Sequence, residues 1–177
     1  MTVALQVESQ TLEQTLAVGT IVARRAVAGD IVGLSGELGA GKTQFVRGMA
    51  EGMGLDPRVV SSPTFVLVHE YEREAADVPP DALVLVHIDA YRLAGDDAAA
   101  GLESIGWADE LFEQAVVAVE WADVLGEHLG DDWLAVRLEH SDPGRLITLS
   151  AHGRWLPRIE LLQADLIRAG LCPQPVT

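Results

Sequence analysis

The spacing of apolar positions changes several times along the chain. Val3 to Val7 alternate weakly, as a short strand does. Thr11-Leu12-Glu13-Gln14 has the spacing of a capping box, with Thr11 as N-cap and Gln14 three residues on. Leu12, Leu16, Val18, Ile21, Val22 and Ala26 then recur at helical spacing, and Gly29 is expected to end that helix. Asp30 to Ser35 is a short, mostly apolar run, the pattern of a strand covered on both faces. A glycine-rich loop follows, then a helical pattern from about Lys42 to Met53, stopped by Gly54.

Ser61 to Thr64 reads as a loop, Phe65 to Tyr71 as an alternating strand, and Glu72 to Asp81 as an acidic connector. Ala82 to Asp89 and Ala115 to Glu120 are two further buried strands, separated by a mixed stretch of loop and short helices. Trp133 to His140 and Arg145 to His152 alternate around Ser141-Asp142-Pro143-Gly144, which predicts an antiparallel hairpin. Trp155 to Ala169 predicts a closing helix. Buried strands interleaved with helices give an α/β fold of three layers. Its central sheet is mostly parallel, with the antiparallel hairpin toward the C-terminus. At 177 residues, with no linker or repeat, residues 1–177 are expected to form one domain.

Composition narrows the chemistry. Hydrophobic residues make up 49% and charged residues 22%, ordinary values for a globular chain. No run approaches the roughly 18 apolar residues of a membrane span. Met1 to Gln10 lacks the basic and apolar segments of a signal peptide, so a cytoplasmic protein is expected, with no membrane partner. The single cysteine, Cys172, allows neither an intramolecular disulfide nor a cysteine-based metal site. Twelve basic residues against 27 acidic ones give a net charge of −15, which repels phosphate backbones. Direct high-affinity binding of bare nucleic acid is therefore not expected. Lys42 is the only lysine; the other eleven basic residues are arginine.

That lysine lies in Gly36-Glu37-Leu38-Gly39-Ala40-Gly41-Lys42-Thr43, which matches G-x-x-x-x-G-K-[ST]. Each fixed position has a physical purpose. The glycines let successive N–H groups converge on a phosphate, and the following helix adds its own unpaired N–H groups and positive dipole end. Lys42 brings a point charge to the β- and γ-phosphates, and Thr43 offers a hydroxyl to Mg²⁺. A buried strand before the loop and a helix after it are the context that a phosphate loop requires. Asp89 and Glu120 each close an apolar strand. Both would reach the sheet edge carrying the loop if those strands run parallel to the first. Thr64 occupies a position where switch-type NTPases sense the γ-phosphate, or it forms a simple turn. His87 is read as packed rather than catalytic, and Arg92 as a partner of Asp89, of phosphate, or of solvent. The guanine-reading N/T-K-x-D motif cannot exist, because the only lysine is in the loop, so ATP is expected over GTP. No arginine finger is assignable, and hydrolysis is expected to be slow until a partner completes the site.

The ordered set Gly36 to Thr43, Ser62-Pro63-Thr64, His87-Ile88-Asp89-Ala90-Tyr91-Arg92-Leu93, Gly106-Trp107 and Val119-Glu120-Trp121 resembles the bacterial TsaE family, from about Gln10 to His140. The resemblance implies a P-loop ATPase needed for threonylcarbamoyladenosine modification of tRNA. It acts with TsaD and TsaB proteins, meets tRNA only through them, and resets the complex between turnovers. It further implies that Glu37, Leu38, Gly39, Ala40, Gly41, Lys42, Thr43, Gln44, Thr64 and Trp121 hold ATP. Thr43, Asp89 and Glu120 serve Mg²⁺, and Glu120, Asp89 and Lys42 serve hydrolysis, with the acid that touches the metal left open. A monomer is expected when the chain is free. The competing readings are a small-molecule kinase, which the lack of Arg and Lys from Ala94 to Phe112 disfavours, and a nucleotide sensor without turnover.

Overall fold

The computed structural model describes residues 3–62, 68–72, 83–93, 98–107 and 110–176. Eight strands among them form one sheet: β1 (Val3–Ser9), β2 (Asp30–Ser35), β3 (Val68–Tyr71), β4 (Leu85–Asp89), β5 (Val116–Glu120), β6 (Trp133–His140), β7 (Arg145–Ala151) and β8 (Gln174–Val176). Their order across the sheet is β3-β4-β5-β2-β6-β7-β1-β8. The four central strands, β4, β5, β2 and β6, are parallel. β3 closes one side antiparallel to β4, and β7, β1 and β8 extend the other side antiparallel. The expected parallel core and hairpin are present. β6 of that hairpin is itself a member of the parallel core, and antiparallel strands lie at both edges.

Burial explains the arrangement. Every residue of β4 and β5 is buried, so both faces are covered. On one face lie α1 (Leu12–Arg25), α2 (Lys42–Gly52) and α5 (Ile159–Arg168), over a core that includes Leu34, Phe45, Met49, Leu134, Trp155 and Leu162. The opposite face packs Val86, Ile88, Val117 and Val119 against Leu102 and Leu125, with Leu102 supplied by α3 (Ala98–Ser104). α4 (Glu110–Gln114) precedes β5. No helix among the described residues is long and apolar enough to cross a membrane.

α1 and α2 approach closely because glycines face the contact. A Cβ at Gly48 would collide with the Leu16 carbonyl, and one at Gly19 with that of Phe45. Gly48→Ala should therefore push the helices apart and cost about 2–3 kcal/mol, as overpacking of a rigid backbone contact does. Urea unfolding tests this: a midpoint shift worth less than about 0.5 kcal/mol, the scatter of neutral surface changes, would contradict it.

Two helix boundaries and one strand differ from expectation, each for a physical reason. α1 stops at Arg25 rather than Gly29. The buried Asp30 carboxylate accepts the Val27 N–H at 2.7 Å and is held by Arg158 at 2.8 Å, which pulls the chain out of the helix early. Gly29 (φ 78°) instead turns the chain into β2. The closing helix begins only at Ile159, because Gly153–Arg158 is a 3₁₀ segment containing Pro157, which lacks the N–H that a regular helix uses. The C-terminal strand β8 was not expected. It pairs antiparallel with β1 at the sheet edge, where its Pro175 is tolerated. The strand expected over Phe65 to Tyr71 is described from Val68 onward, and of the acidic connector only Glu72 is described.

Candidate functional site

β2 runs straight into the glycine loop. Gly36, Gly39 and Gly41 have φ of 141°, 80° and 107°, values that side-chain-bearing residues rarely adopt. Gly41 is the N-cap of α2 and no side chain caps that end, so the first N–H groups of the helix face outward from the loop. Ala40 points into the core with no exposed surface, whereas Leu38 is 86% exposed at the loop tip. Only backbone from these two residues can serve a phosphate.

The Lys42 side chain is buried. Its ammonium donates to the carbonyls of Gly36 at 2.7 Å and Glu37 at 3.0 Å, and it lies 3.6 Å from the centre of the Trp121 ring. Burial lowers its pKa from the usual lysine value, while the carboxylates of Glu120, Asp89 and Asp123 push it back up. Trp121 is the single non-glycine residue with positive φ (60°) among the described residues. Such a conformation costs about 1–3 kcal/mol and persists where the surroundings hold it. Here β5 ends at Glu120 and a 3₁₀ turn begins at Ala122, so the left-handed residue reverses the chain and sets the indole against Lys42. The Tyr91 ring packs on it at 5.2 Å.

The parallel register puts Asp89 opposite Glu120, and Glu120 opposite Leu34, one residue before β2 ends. Both acids therefore reach the loop edge, as their strand-end positions predict. Both are nearly fully buried. Thr43 donates its hydroxyl to Glu120 Oε1 at 2.7 Å. His87 Nε2 lies 2.9 Å from the same oxygen. A carboxylate can only accept, so Nε2 carries the proton of this bond, and Nδ1 has no partner among the described residues. His87 is packed, as expected, and also orients Glu120. Asp89 Oδ1 accepts the Tyr91 N–H at 3.0 Å.

Lys42, Thr43, Asp89, Tyr91, Glu120 and Trp121 line a cavity of about 550 Å³, together with Leu12, Gln44, Ser62 and Arg145. Thr64, expected nearby, lies outside the described residues. Arg92, three residues after Asp89 in the chain, is exposed. Arg145 was missed from sequence. Its Nε donates to the Ala40 carbonyl at 2.6 Å across 105 residues of chain, and no local pattern signals that contact.

The family model for "Threonylcarbamoyl adenosine biosynthesis protein TsaE" matches residues 9–147. The chain is 38% identical over 158 residues to the tRNA threonylcarbamoyladenosine biosynthesis protein TsaE of Bacillus subtilis, covering 88% of this chain and 89% of that one. It is 40% identical over 137 residues to the Mycobacterium bovis protein of the same name, covering 74% and 78%. For the Streptomyces coelicolor counterpart the identity is 39% over 145 residues, covering 77% and 90%. The crystal structure of Bacillus subtilis YdiB superimposes with a TM-score of 0.70 at 34% identity, covering 96% of this chain and 98% of that one. By its loop, its strand-end acids and these matches, the chain belongs to the TsaE family of threonylcarbamoyladenosine biosynthesis proteins.

Proposed function

We propose that the chain binds and hydrolyses Mg-ATP and, working with TsaD and TsaB proteins, resets their complex between rounds of tRNA threonylcarbamoylation. The observation that carries this reading is the convergence of Lys42, Thr43, Glu120 and Asp89 on one cavity at the loop edge of the parallel sheet. The donor set suits magnesium. It offers one hydroxyl and two carboxylates, all hard oxygens, and among the described residues no cluster of three acids, histidines or cysteines forms a cage. Magnesium fits such a site because it takes few protein ligands and completes its shell with phosphates and water. When bound, the ion would neutralise charge on the phosphates.

The chain's own groups divide the remaining work. The loop N–H groups and the start of α2 hold the phosphates, and Lys42 adds the fixed cation. Thr43 and Glu120 are the nearer pair for the metal, since they already share a 2.7 Å hydrogen bond. Among the described residues both hydrogen bonds of Glu120 fall on Oε1, which leaves Oε2 to orient water. Trp121 holds Lys42 in place, and Asp89 adds negative charge beside the metal pair. No arginine finger reaches the acids among the residues lining this cavity, so basal turnover is expected to be slow and partner-dependent. The strongly acidic chain leaves tRNA contacts to its partners.

Modified-tRNA yield tests the proposal. A TsaD–TsaB pair given excess tRNA, threonylcarbamoyl donor and ATP should stall near one product per pair without this chain, and continue with it. Equal yields in both arms would overturn the resetting role.

A further inference from the structure

We infer that Arg24, Arg25 and Arg168 form a docking surface for an acidic segment of the TsaD–TsaB pair, at the end of the sheet opposite the phosphate loop. The inference rests on the partner reading above and adds where the chain holds its partners. α1 begins at Leu12, which lines the loop cavity, and ends at Arg25, shortly before β2 starts. Its 14 residues span about 20 Å, so a partner seated on these arginines stays clear of the nucleotide.

The charge balance at this spot is the reverse of the chain's. The three arginines line a cavity of about 470 Å³ with Ile21, Asp165 and Ala169, and Asp165 is the one acid among these residues. Its Oδ2 accepts from Arg25 and its Oδ1 from Arg168, each at 2.6 Å. Arg24 has no carboxylate within ion-pair distance among the described residues. All three arginines sit in the last turn of their helices, where the backbone dipole favours a cation. The two helix ends contribute roughly half a negative charge each, which together with Asp165 still leaves about one positive charge unbalanced. That surplus stands on a chain of net charge −15, so the surface is complementary to an anion that the chain does not itself supply.

The surroundings select a protein as the occupant. A guanidinium is a planar fork that matches a carboxylate with two parallel hydrogen bonds. Leu161, Asp165 and Arg168 recur at i, i+4 and i+7 along α5 and so share one face of it, where Leu161 is 48% exposed. Arginine together with open apolar surface is the composition of a protein interface. A phosphate backbone would gain nothing from the leucine, and one surplus cation does not offset the field of this chain on a polyanion. The occupant is therefore a segment that carries Asp or Glu next to an apolar side chain.

The test removes two of the cations and leaves Arg25 to tie α1 to α5 through Asp165. Affinity for the TsaD–TsaB pair would be measured by calorimetry for the wild type and for Arg24→Gln with Arg168→Gln, at low and at high salt. The double variant should bind the pair at least about tenfold more weakly at low salt, the size of one lost interface hot spot, and the gap should narrow as salt screens the charges. Phosphate release by the variant alone should stay within about twofold of wild type, because the changes are remote from the cavity. Arg24→Gln by itself breaks no ion pair and should weaken binding in the same direction, which excludes lost fold as the cause. Equal affinity of wild type and double variant for the pair would overturn the inference and leave the partner reading standing. Failure of the wild type to bind the pair would sink the partner reading and the inference with it. Binding of unmodified tRNA by the wild type alone, lost in the double variant, would assign the arginines to phosphate and overturn the inference as well.

Discussion

Glu120→Gln should bind Mg-ATP nearly as the wild type does and release phosphate at least about 100-fold more slowly, the usual cost of losing a positioned base. The substitution is chosen for what it preserves. The amide oxygen can still accept from Thr43 and His87, so the two contacts on Oε1 survive and the strand end keeps its shape. Only the charge and the basic second oxygen are lost. Glu120 is buried, so no bulk solvent replaces that function. Binding would be read by titration with a fluorescent nucleotide, and turnover by phosphate release in the presence of the TsaD–TsaB pair. A turnover within about threefold of wild type would sink the assigned role. Loss of binding to the same degree as turnover would make Glu120 a ligand-holding residue and not a hydrolytic one.

Lys42→Ala should abolish nucleotide binding, with the dissociation constant rising at least about 100-fold, or roughly 3 kcal/mol. The cavity would lose its innermost cation while Glu120, Asp89 and Asp123, the acids whose field acts on Lys42, remained to repel phosphate. Lys42→Arg should not rescue it. The ammonium fits between two loop carbonyls at 2.7 and 3.0 Å and over the Trp121 ring at 3.6 Å, a space matched to a point charge and not to a planar fork. Retained helical circular dichroism would separate loss of binding from loss of fold. An Arg variant binding within threefold of wild type would show that position 42 needs only positive charge.

What the sequence made legible was chiefly local. β2, the loop and α2 are contiguous, and their glycines and apolar run state the motif directly. Asp89 and Glu120 were readable because an acid closing a buried strand has few places to point. The features that escaped depend on residues far apart in the chain. Arg145 reaches Ala40 only because β7 pairs with β1 and the hairpin turns back over the loop. α1 ends early because Arg158, 128 residues away, pins Asp30. Trp121's left-handed backbone carries no glycine to announce it, and it is legible only once β5 and the turn after it are placed. β8 has too few residues for a periodic signal, and its place follows from the open edge of β1. The family resemblance stopped near His140, yet the chain beyond it is structural, since α5 packs on α1 and Trp155 is buried in the core.

The most direct test of the central claim is phosphate release from Mg-ATP by this chain alone and with a TsaD–TsaB pair, with and without a panel of small phosphoryl acceptors. Slow release alone, strong stimulation by the pair and indifference to the acceptors are expected. Release that depends on a small acceptor, or its absence even with the pair present, would contradict a partner-activated ATPase.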